Sequence, residues 1–99
     1  MKIAFLVYRD VLDERIISLL GELEIDSYIK WENVLSKSHG TAPHLGTRTF
    51  PGHDSVRLIP FQNEENLNKL ILKIQEFNHL VTKKDDEIRM YLLPLERMV

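Results

Sequence analysis

The sequence predicts a single α+β domain, residues 1–99, in which two helices cover one face of a four-stranded antiparallel sheet. Three observations predict it. The chain has 99 residues and is 43% hydrophobic, which fits one core and not two. Four short segments have the apolar patterns of strands, and two longer segments have apolar residues at helical spacing. Their order, β-α-β-β-α-β, is that of the ferredoxin-like fold.

The first half of the chain contains two of the predicted strands and one helix. Residues 2–8 are apolar at both odd and even positions, so both faces of this strand should be covered. Asp13 is the expected cap of the helix that follows. The apolar residues of that helix have i, i+3, i+4, i+7 spacing: Ile16, Leu19, Leu20 and Leu23. Residues 28–35 alternate in polarity and predict the second strand.

The second half supplies the remaining elements. Residues 56–61 predict a strand, and Pro60 should lie at its end or at an edge because proline has no N–H for a ladder. Asn63 should cap the second helix. The buried stripe of that helix is Leu67, Leu70, Ile71, Ile74 and Phe77. Residues 87–93 predict the last strand, which Pro94 closes.

Two helices cover only one face of such a sheet. The first and last strands are apolar on both sides, so the second face should also be buried, and another copy of the chain is the expected cover. We expect Leu6 to lie on this second face.

Composition excludes several classes of function. The chain has no cysteine, which excludes disulfides, thiolate metal sites and a cysteine nucleophile. Thirteen Lys and Arg against fifteen Asp and Glu give a net charge of −2, which disfavours nucleic-acid binding. The short N-terminal apolar run is not typical of a signal peptide, and no stretch has the length of a membrane span. We expect a cytoplasmic protein without a membrane span.

Residues 36–55 predict a long loop, since three of the four glycines and three of the four histidines lie there. Its backbone N–H groups, hydroxyls and guanidinium suit an anion such as a phosphate or a carboxylate. The alternative is a turn without a ligand. The candidate ligand-binding residues are His44, Gly46, Thr47, Arg48, Pro51, Gly52 and His53.

The loop histidines are also candidate metal ligands. His39, His44 and His53 could hold a divalent metal ion, because imidazole is a common ligand of zinc, copper and nickel. The alternative is three solvated side chains. A threefold axis would favour the metal site, because it brings three copies of one histidine together.

The stretch from Tyr28 to Ser55 combines an aromatic-Lys-Trp-Glu strand with a Pro-His-x-Gly-Thr element at Pro43 and a Pro-Gly element at Pro51. The chain closes with Leu-Leu-Pro-Leu-Glu. These features resemble the PII-like group of the nitrogen regulatory protein PII superfamily. The resemblance implies a homotrimer of ferredoxin-like subunits packed sheet to sheet. It also implies that the loop, about residues 36–55, is a T-loop that contacts a partner protein.

The resemblance further implies adenine nucleotide bound through a glycine-rich element after the second helix. Residues 79–86, which hold that position, contain no glycine. Lys83 and Lys84 supply charge without the closely spaced N–H groups that cradle a phosphate. Binding of ATP or ADP is therefore disfavoured, and the ligand is unidentified.

Three functions fit these features. The preferred one is a non-enzymatic regulatory protein, a ligand sensor or adaptor acting through its T-loop on a partner protein. The first alternative is a metal-homeostasis protein of the CutA kind that uses the loop histidines. The second is a structural interaction module with no small ligand. No catalytic residues are predicted, because near-adjacent residues such as His53, Asp54 and Ser55 rarely reach the geometry of a hydrolytic triad and no glycine-flanked nucleophile elbow is present.

Overall fold

The computed structural model describes residues 1–37 and 52–99. The strands are β1 (Lys2–Arg9), β2 (Ile29–Val34), β3 (Asp54–Phe61) and β4 (Arg89–Pro94), and the helices are α1 (Asp13–Glu22) and α2 (Glu64–Leu80). Short 3₁₀ turns follow β1 and α2, at Asp10–Leu12 and Lys84–Asp86. This order confirms the predicted α+β, ferredoxin-like arrangement. No helix among these residues is long and apolar enough to cross a membrane.

The four strands form one antiparallel sheet in the order β2-β3-β1-β4. β1 is central, and its Phe5 lies opposite Leu58 on one side and Tyr91 on the other. β2 and β4 are the edge strands. A register irregularity interrupts β2 between Trp31 and Val34, and a bulge of this kind protects an edge from unwanted pairing.

The helix starts differ in how they are capped. The Asn63 side chain accepts a hydrogen bond from the Glu65 backbone N–H at 2.8 Å, which confirms it as the cap of α2. The prediction that Asp13 caps α1 is wrong. Asp13 is the first helical residue, Leu12 precedes the helix without a side-chain cap, and the Asp13 carboxylate binds side chains of the sheet instead.

The core lies between the sheet and the two helices. β1 contributes its even positions to this core: Ala4, Leu6 and Tyr8. The helices contribute Ile16, Leu19, Leu20, Leu67, Leu70 and Ile74, and β3 adds Ile59 and Phe61. Leu6 is completely buried under the helices, so its assignment to the second face is wrong. Both sets of side chains on β1 are apolar, and alternation alone does not say which set faces the helices.

The odd positions of β1 lie on the opposite face of the sheet, which we call the open face. They continue across the sheet in register, with Val7 opposite Val56 and Val56 opposite Trp31. The open face has an apolar depression of about 410 Å³, lined by Phe5, Val7, Trp31, Val34, Val56 and Tyr91. The prediction that the sheet is apolar on both faces is therefore confirmed.

The starts of β3 and β4 each differ by two residues from the predicted ones, and the other strand ends differ by at most one. β3 begins at Asp54, so Asp54 and Ser55 belong to the sheet and not to the loop. β4 begins at Arg89. The preceding residue, Ile88, is held by the side chain of Asn78, which accepts from its N–H at 2.7 Å and donates to its carbonyl at 2.8 Å.

A buried polar network joins the start of α1 to the sheet. Arg57 on β3 is only 2% exposed and donates to the Tyr8 hydroxyl at 2.9 Å and to Asp13 Oδ1 at 3.0 Å. Tyr8 donates to Asp13 Oδ1 at 2.6 Å, and Lys30 Nζ donates to Asp13 Oδ2 at 2.9 Å. The Tyr28 ring lies 4.5 Å from the Arg57 guanidinium carbon. Asp13 is thus the carboxylate that neutralises the buried Arg57.

The network shifts the pKa of several members. Burial raises the pKa of Tyr8, and its hydrogen bond to Asp13 raises it further. Burial alone would raise the pKa of Asp13, but the hydrogen bonds from Tyr8, Lys30 and Arg57 outweigh it and lower that pKa to about 2. Asp13 is therefore ionised at neutral pH.

Replacement of Asp13 by asparagine should lower the free energy of unfolding by about 3 kcal/mol, because it leaves a buried guanidinium without a counter-charge. Glu14→Gln is the matched control, since it removes the same charge from the same helical turn. That control should change stability by less than about 0.5 kcal/mol. Urea denaturation measures the free energy of unfolding of both variants. Equal decreases in the two variants would contradict the role of Asp13.

The same two variants test how the contribution of Asp13 to stability depends on pH. The pKa of Asp13 is lowered in the folded state, so its contribution is complete above about pH 5 and is lost as the pH falls from about 4 to 2. The unfolding free energy of the Asp13→Asn variant should therefore fall less over this range than that of the native protein or the Glu14→Gln control.

Candidate functional site

The structure places two of the predicted ligand-binding residues, Gly52 and His53. The others lie outside the described residues: His44, Gly46, Thr47, Arg48 and Pro51. His39 lies outside as well, so the metal site formed by the three loop histidines stays a prediction. Within residues 1–37 and 52–99, no group of three His, Cys, Asp or Glu side chains could hold a metal ion.

Gly52 and His53 fix the end of the loop segment where it enters β3. Gly52 has φ +93°, a conformation that side-chain-bearing residues rarely adopt. The carbonyl of His53 accepts a hydrogen bond from the Asp10 N–H at 3.1 Å. The backbone of His53 is thus tied to the residue that follows β1, whatever its imidazole does.

Asp54 is the first residue of β3 and ties three segments together. It is fully buried, although strand alternation places it on the open face with Val56. Its Oδ2 accepts from Arg89 Nη2 on β4 at 2.8 Å and also from the hydroxyl of Ser36. Ser36 lies just beyond the end of β2, where it forms an isolated β-bridge. Asp54 therefore joins both ends of the loop segment to β4.

Arg9 at the end of β1 makes the second charged contact in this region. Its Nη1 donates to Asp86 Oδ1 at 2.8 Å, and both side chains are about one-third exposed, at 34% and 33%. The position of a Cβ on Gly52 would be 4.0 Å from Arg9 Nη2. The guanidinium therefore lies between the end of the loop segment and the turn that follows α2. We call Arg9, Asp54, Asp86 and Arg89 the charged end of the open face.

The sequence analysis missed these four residues, although the alternation of apolar residues along the strands points to two of them. Arg9 continues the odd positions of β1, and Asp54 continues the even positions of β3, so both extend apolar rows of the open face. A charged residue at the end of an apolar row must pair or reach solvent.

According to the family resemblance, adenine nucleotide would bind at the turn after α2. Three of the N–H groups at its end are already bonded within the chain. The N–H groups of Asp86 and Glu87 donate to the carbonyls of Lys83 and Lys84 at 3.0 and 3.1 Å, and that of Ile88 donates to Asn78. A phosphate cradle needs several free N–H groups that point at one site. The residues present here do not fit one.

The open face is the other candidate site, and its chemistry suits a protein surface better than a small ligand. Several large apolar side chains on it are about half exposed: Ile29 at 55%, Trp31 at 45%, Tyr91 at 51% and Leu93 at 49%. The depression between them is lined entirely by apolar residues. An apolar surface of this kind on a small domain marks an interaction surface.

Solved structures resemble this chain over almost its whole length. A structure of CPII from Thiomonas intermedia, bound to ADP and bicarbonate, has a TM-score of 0.73 and 14% identity over 93% of this chain and 82% of that chain. The apo form of CPII, described as a nitrogen regulatory PII-like protein, has a TM-score of 0.68 and 13% identity over 93% and 85%. The chain has the fold of the PII-like proteins.

A third structure of similar fold comes from Thermus thermophilus and carries a PII-like signalling description. It has a TM-score of 0.60 and 14% identity over 93% of this chain and 83% of that chain. No family model and no curated protein sequence matches the chain. The PII-like fold is thus shown by the arrangement of the backbone, at a sequence identity of 13 to 14%.

Proposed function

We propose that the protein is a PII-like regulatory protein that assembles through its open face, as a homotrimer, and acts on a partner protein through the loop segment. The observation that carries the proposal is the position of the loop ends. Ser36 and Asp54 lie at the charged end of the same sheet face that is otherwise apolar. Covering that face with other copies would place the loop segments side by side at the edge of the assembly.

The electrostatics of the open face support self-association. The residues that line its depression carry no charge, and the charges at its end are paired as Arg9–Asp86 and Arg89–Asp54. Contact between copies would therefore remove apolar area from water without burying an unpaired charge. The number three rests on the resemblance to PII proteins, which pack their sheets around a threefold axis.

The loop segment supplies the groups for ligand and partner binding. His44, Arg48 and His53 offer two imidazoles and a guanidinium that suit an anionic group, and Gly46, Thr47, Pro51 and Gly52 offer backbone N–H groups or turns. CPII is described as binding bicarbonate together with ADP. A small anion fits this chain better than a nucleotide, because the turn after α2 has no free N–H cradle.

The proposed role is binding and not catalysis. Each charged group at the end of the open face is engaged by an oppositely charged partner: Arg9 by Asp86, and Arg89 by Asp54. The Asp54 carboxylate accepts from both the Ser36 hydroxyl and Arg89, and this contact joins the ends of the loop segment to β4.

Replacement of Tyr91 by aspartate should convert the assembly into folded monomers. Tyr91 is 51% exposed in the single chain, so a carboxylate there reaches water in a monomer but would be buried without a partner in the assembly. Sedimentation velocity with circular dichroism gives the mass and the fold. The native protein should sediment as a trimer.

The matched control is Leu72→Asp, since Leu72 is 58% exposed on α2, on the opposite side of the sheet. This variant should remain a trimer. A native protein that sediments as a monomer, or a Tyr91→Asp variant that remains a trimer, would contradict assembly through the open face.

A triple variant with alanine at His44, Arg48 and His53 should stay trimeric and keep its melting temperature, yet lose the partner that the native protein retains on affinity purification. Only the backbone of His53 is used in the described contacts, so alanine keeps that hydrogen bond. If the variant unfolds at a temperature several degrees lower and still keeps every partner, the loop is structural and the proposal fails.

A further inference from the structure

The family resemblance implies a nucleotide phosphate beside the turn after α2, and in this chain an acidic side chain of that turn lies against a guanidinium. Asp86 belongs to the turn after α2, and its Oδ1 accepts a hydrogen bond from Arg9 Nη1 at 2.8 Å. A guanidinium that binds one carboxylate oxygen in this way can equally bind an oxygen of a phosphate.

We propose that Asp86 is a built-in anion. Its carboxylate occupies the place on Arg9 that an oxygen of a bound phosphate group would take, and it attaches the loop end to the turn after α2 without any nucleotide. The inference rests on the proposed function in one respect, that the loop segment is the working part of the protein.

The first support is the connection through Arg9. Arg9 is the last residue of β1 and lies beside Gly52. A Cβ on Gly52 would be 4.0 Å from Arg9 Nη2. The next residue, Asp10, donates its N–H to the carbonyl of His53 at 3.1 Å. The Arg9–Asp86 pair therefore fixes the turn after α2 against the same short stretch that holds the loop end.

The second support is that N–H groups at the end of this turn already have hydrogen-bond partners within the chain. The N–H groups of Asp86 and Glu87 are bonded to Lys83 and Lys84 carbonyls, and Ile88 is bonded to Asn78 through both its N–H and its carbonyl. An incoming phosphate would meet the Asp86 carboxylate and no free N–H groups from these residues. Like-charge repulsion and the lack of donors both oppose its binding.

The third support is the exposure of the pair. Arg9 and Asp86 are each about one-third exposed, so an anion from solvent can reach Arg9 once the carboxylate is removed. A deeply buried pair would leave an inaccessible charge instead. The proposal therefore predicts that neutralising Asp86 creates a site for a small phosphate anion on Arg9.

The test is the hydrogen exchange rate of the Asp10 amide, followed by NMR in the native protein, in Asp86→Asn and in Glu87→Gln. Glu87→Gln is the matched control, because it removes the same charge one residue away and its side chain makes no hydrogen bond or ion pair in the described part of the chain. Each protein is measured alone, with inorganic pyrophosphate, with ADP, and with sodium chloride at equal ionic strength.

In Asp86→Asn the Asp10 amide should exchange about two- to fivefold faster, the range expected for loss of a partly exposed ion pair. Pyrophosphate should restore the native rate and sodium chloride should not. With alanine at His44, Arg48 and His53, which removes the proposed anion-binding side chains of the loop segment, neither the protein that keeps Asp86 nor Glu87→Gln should respond to pyrophosphate or to ADP.

The proposal would be overturned if the Asp10 amide of Asp86→Asn exchanged at the native rate. It would also be overturned if pyrophosphate slowed that exchange no more than sodium chloride does. Protection by ADP or pyrophosphate of the protein that keeps Asp86 but lacks these three loop side chains would also overturn it, because Arg9 would then be open to anions with Asp86 in place. Sedimentation of the same samples separates this result from failure of the proposed function, because a native monomer would refute the assembly whatever the exchange rates are.

Discussion

The structure depends on one constraint: the central strand β1 is apolar on both faces, while the two helices cover only one. Ala4, Leu6 and Tyr8 are fully buried beneath α1 and α2, whereas Phe5 and Val7 line the depression on the open face. Burial of the first set holds the domain together. The second set is only partly buried by the fold of a single chain, so the same strand that forms the core also supplies the apolar face through which we propose that copies assemble.

Charges in this small domain are concentrated where they connect elements. Under α1, Asp13 neutralises Arg57 and thereby fixes the helix start to β1, β2 and β3. At the charged end of the open face, Asp54 holds Arg89 on β4, and Arg9 holds Asp86 in the turn after α2. The first network stabilises the fold. The second fixes both ends of the loop segment, which links the fold to the proposed regulatory role.

Much of the fold followed from the sequence, because apolar spacing is a direct consequence of which faces are buried. The spacing from Leu67 to Phe77 and the cap at Asn63 located α2, and the two-sided apolar pattern of β1 indicated a second buried face. Leu6 was assigned to the wrong face, because the two faces of β1 are equally apolar. Asp13 and Asp54 were misplaced because their partners, Arg57 and Arg89, are distant in sequence and meet only after folding.

The central claim, that other copies cover the open face, is tested most directly by the accessibility of Trp31. It is the only tryptophan of the chain and is 45% exposed in the single chain, so its fluorescence reports on this face without any substitution. We expect acrylamide to quench it weakly in the native protein and strongly after urea unfolding, with a native emission maximum at short wavelength. Strong quenching of native Trp31, with emission typical of a solvated indole, would contradict the account.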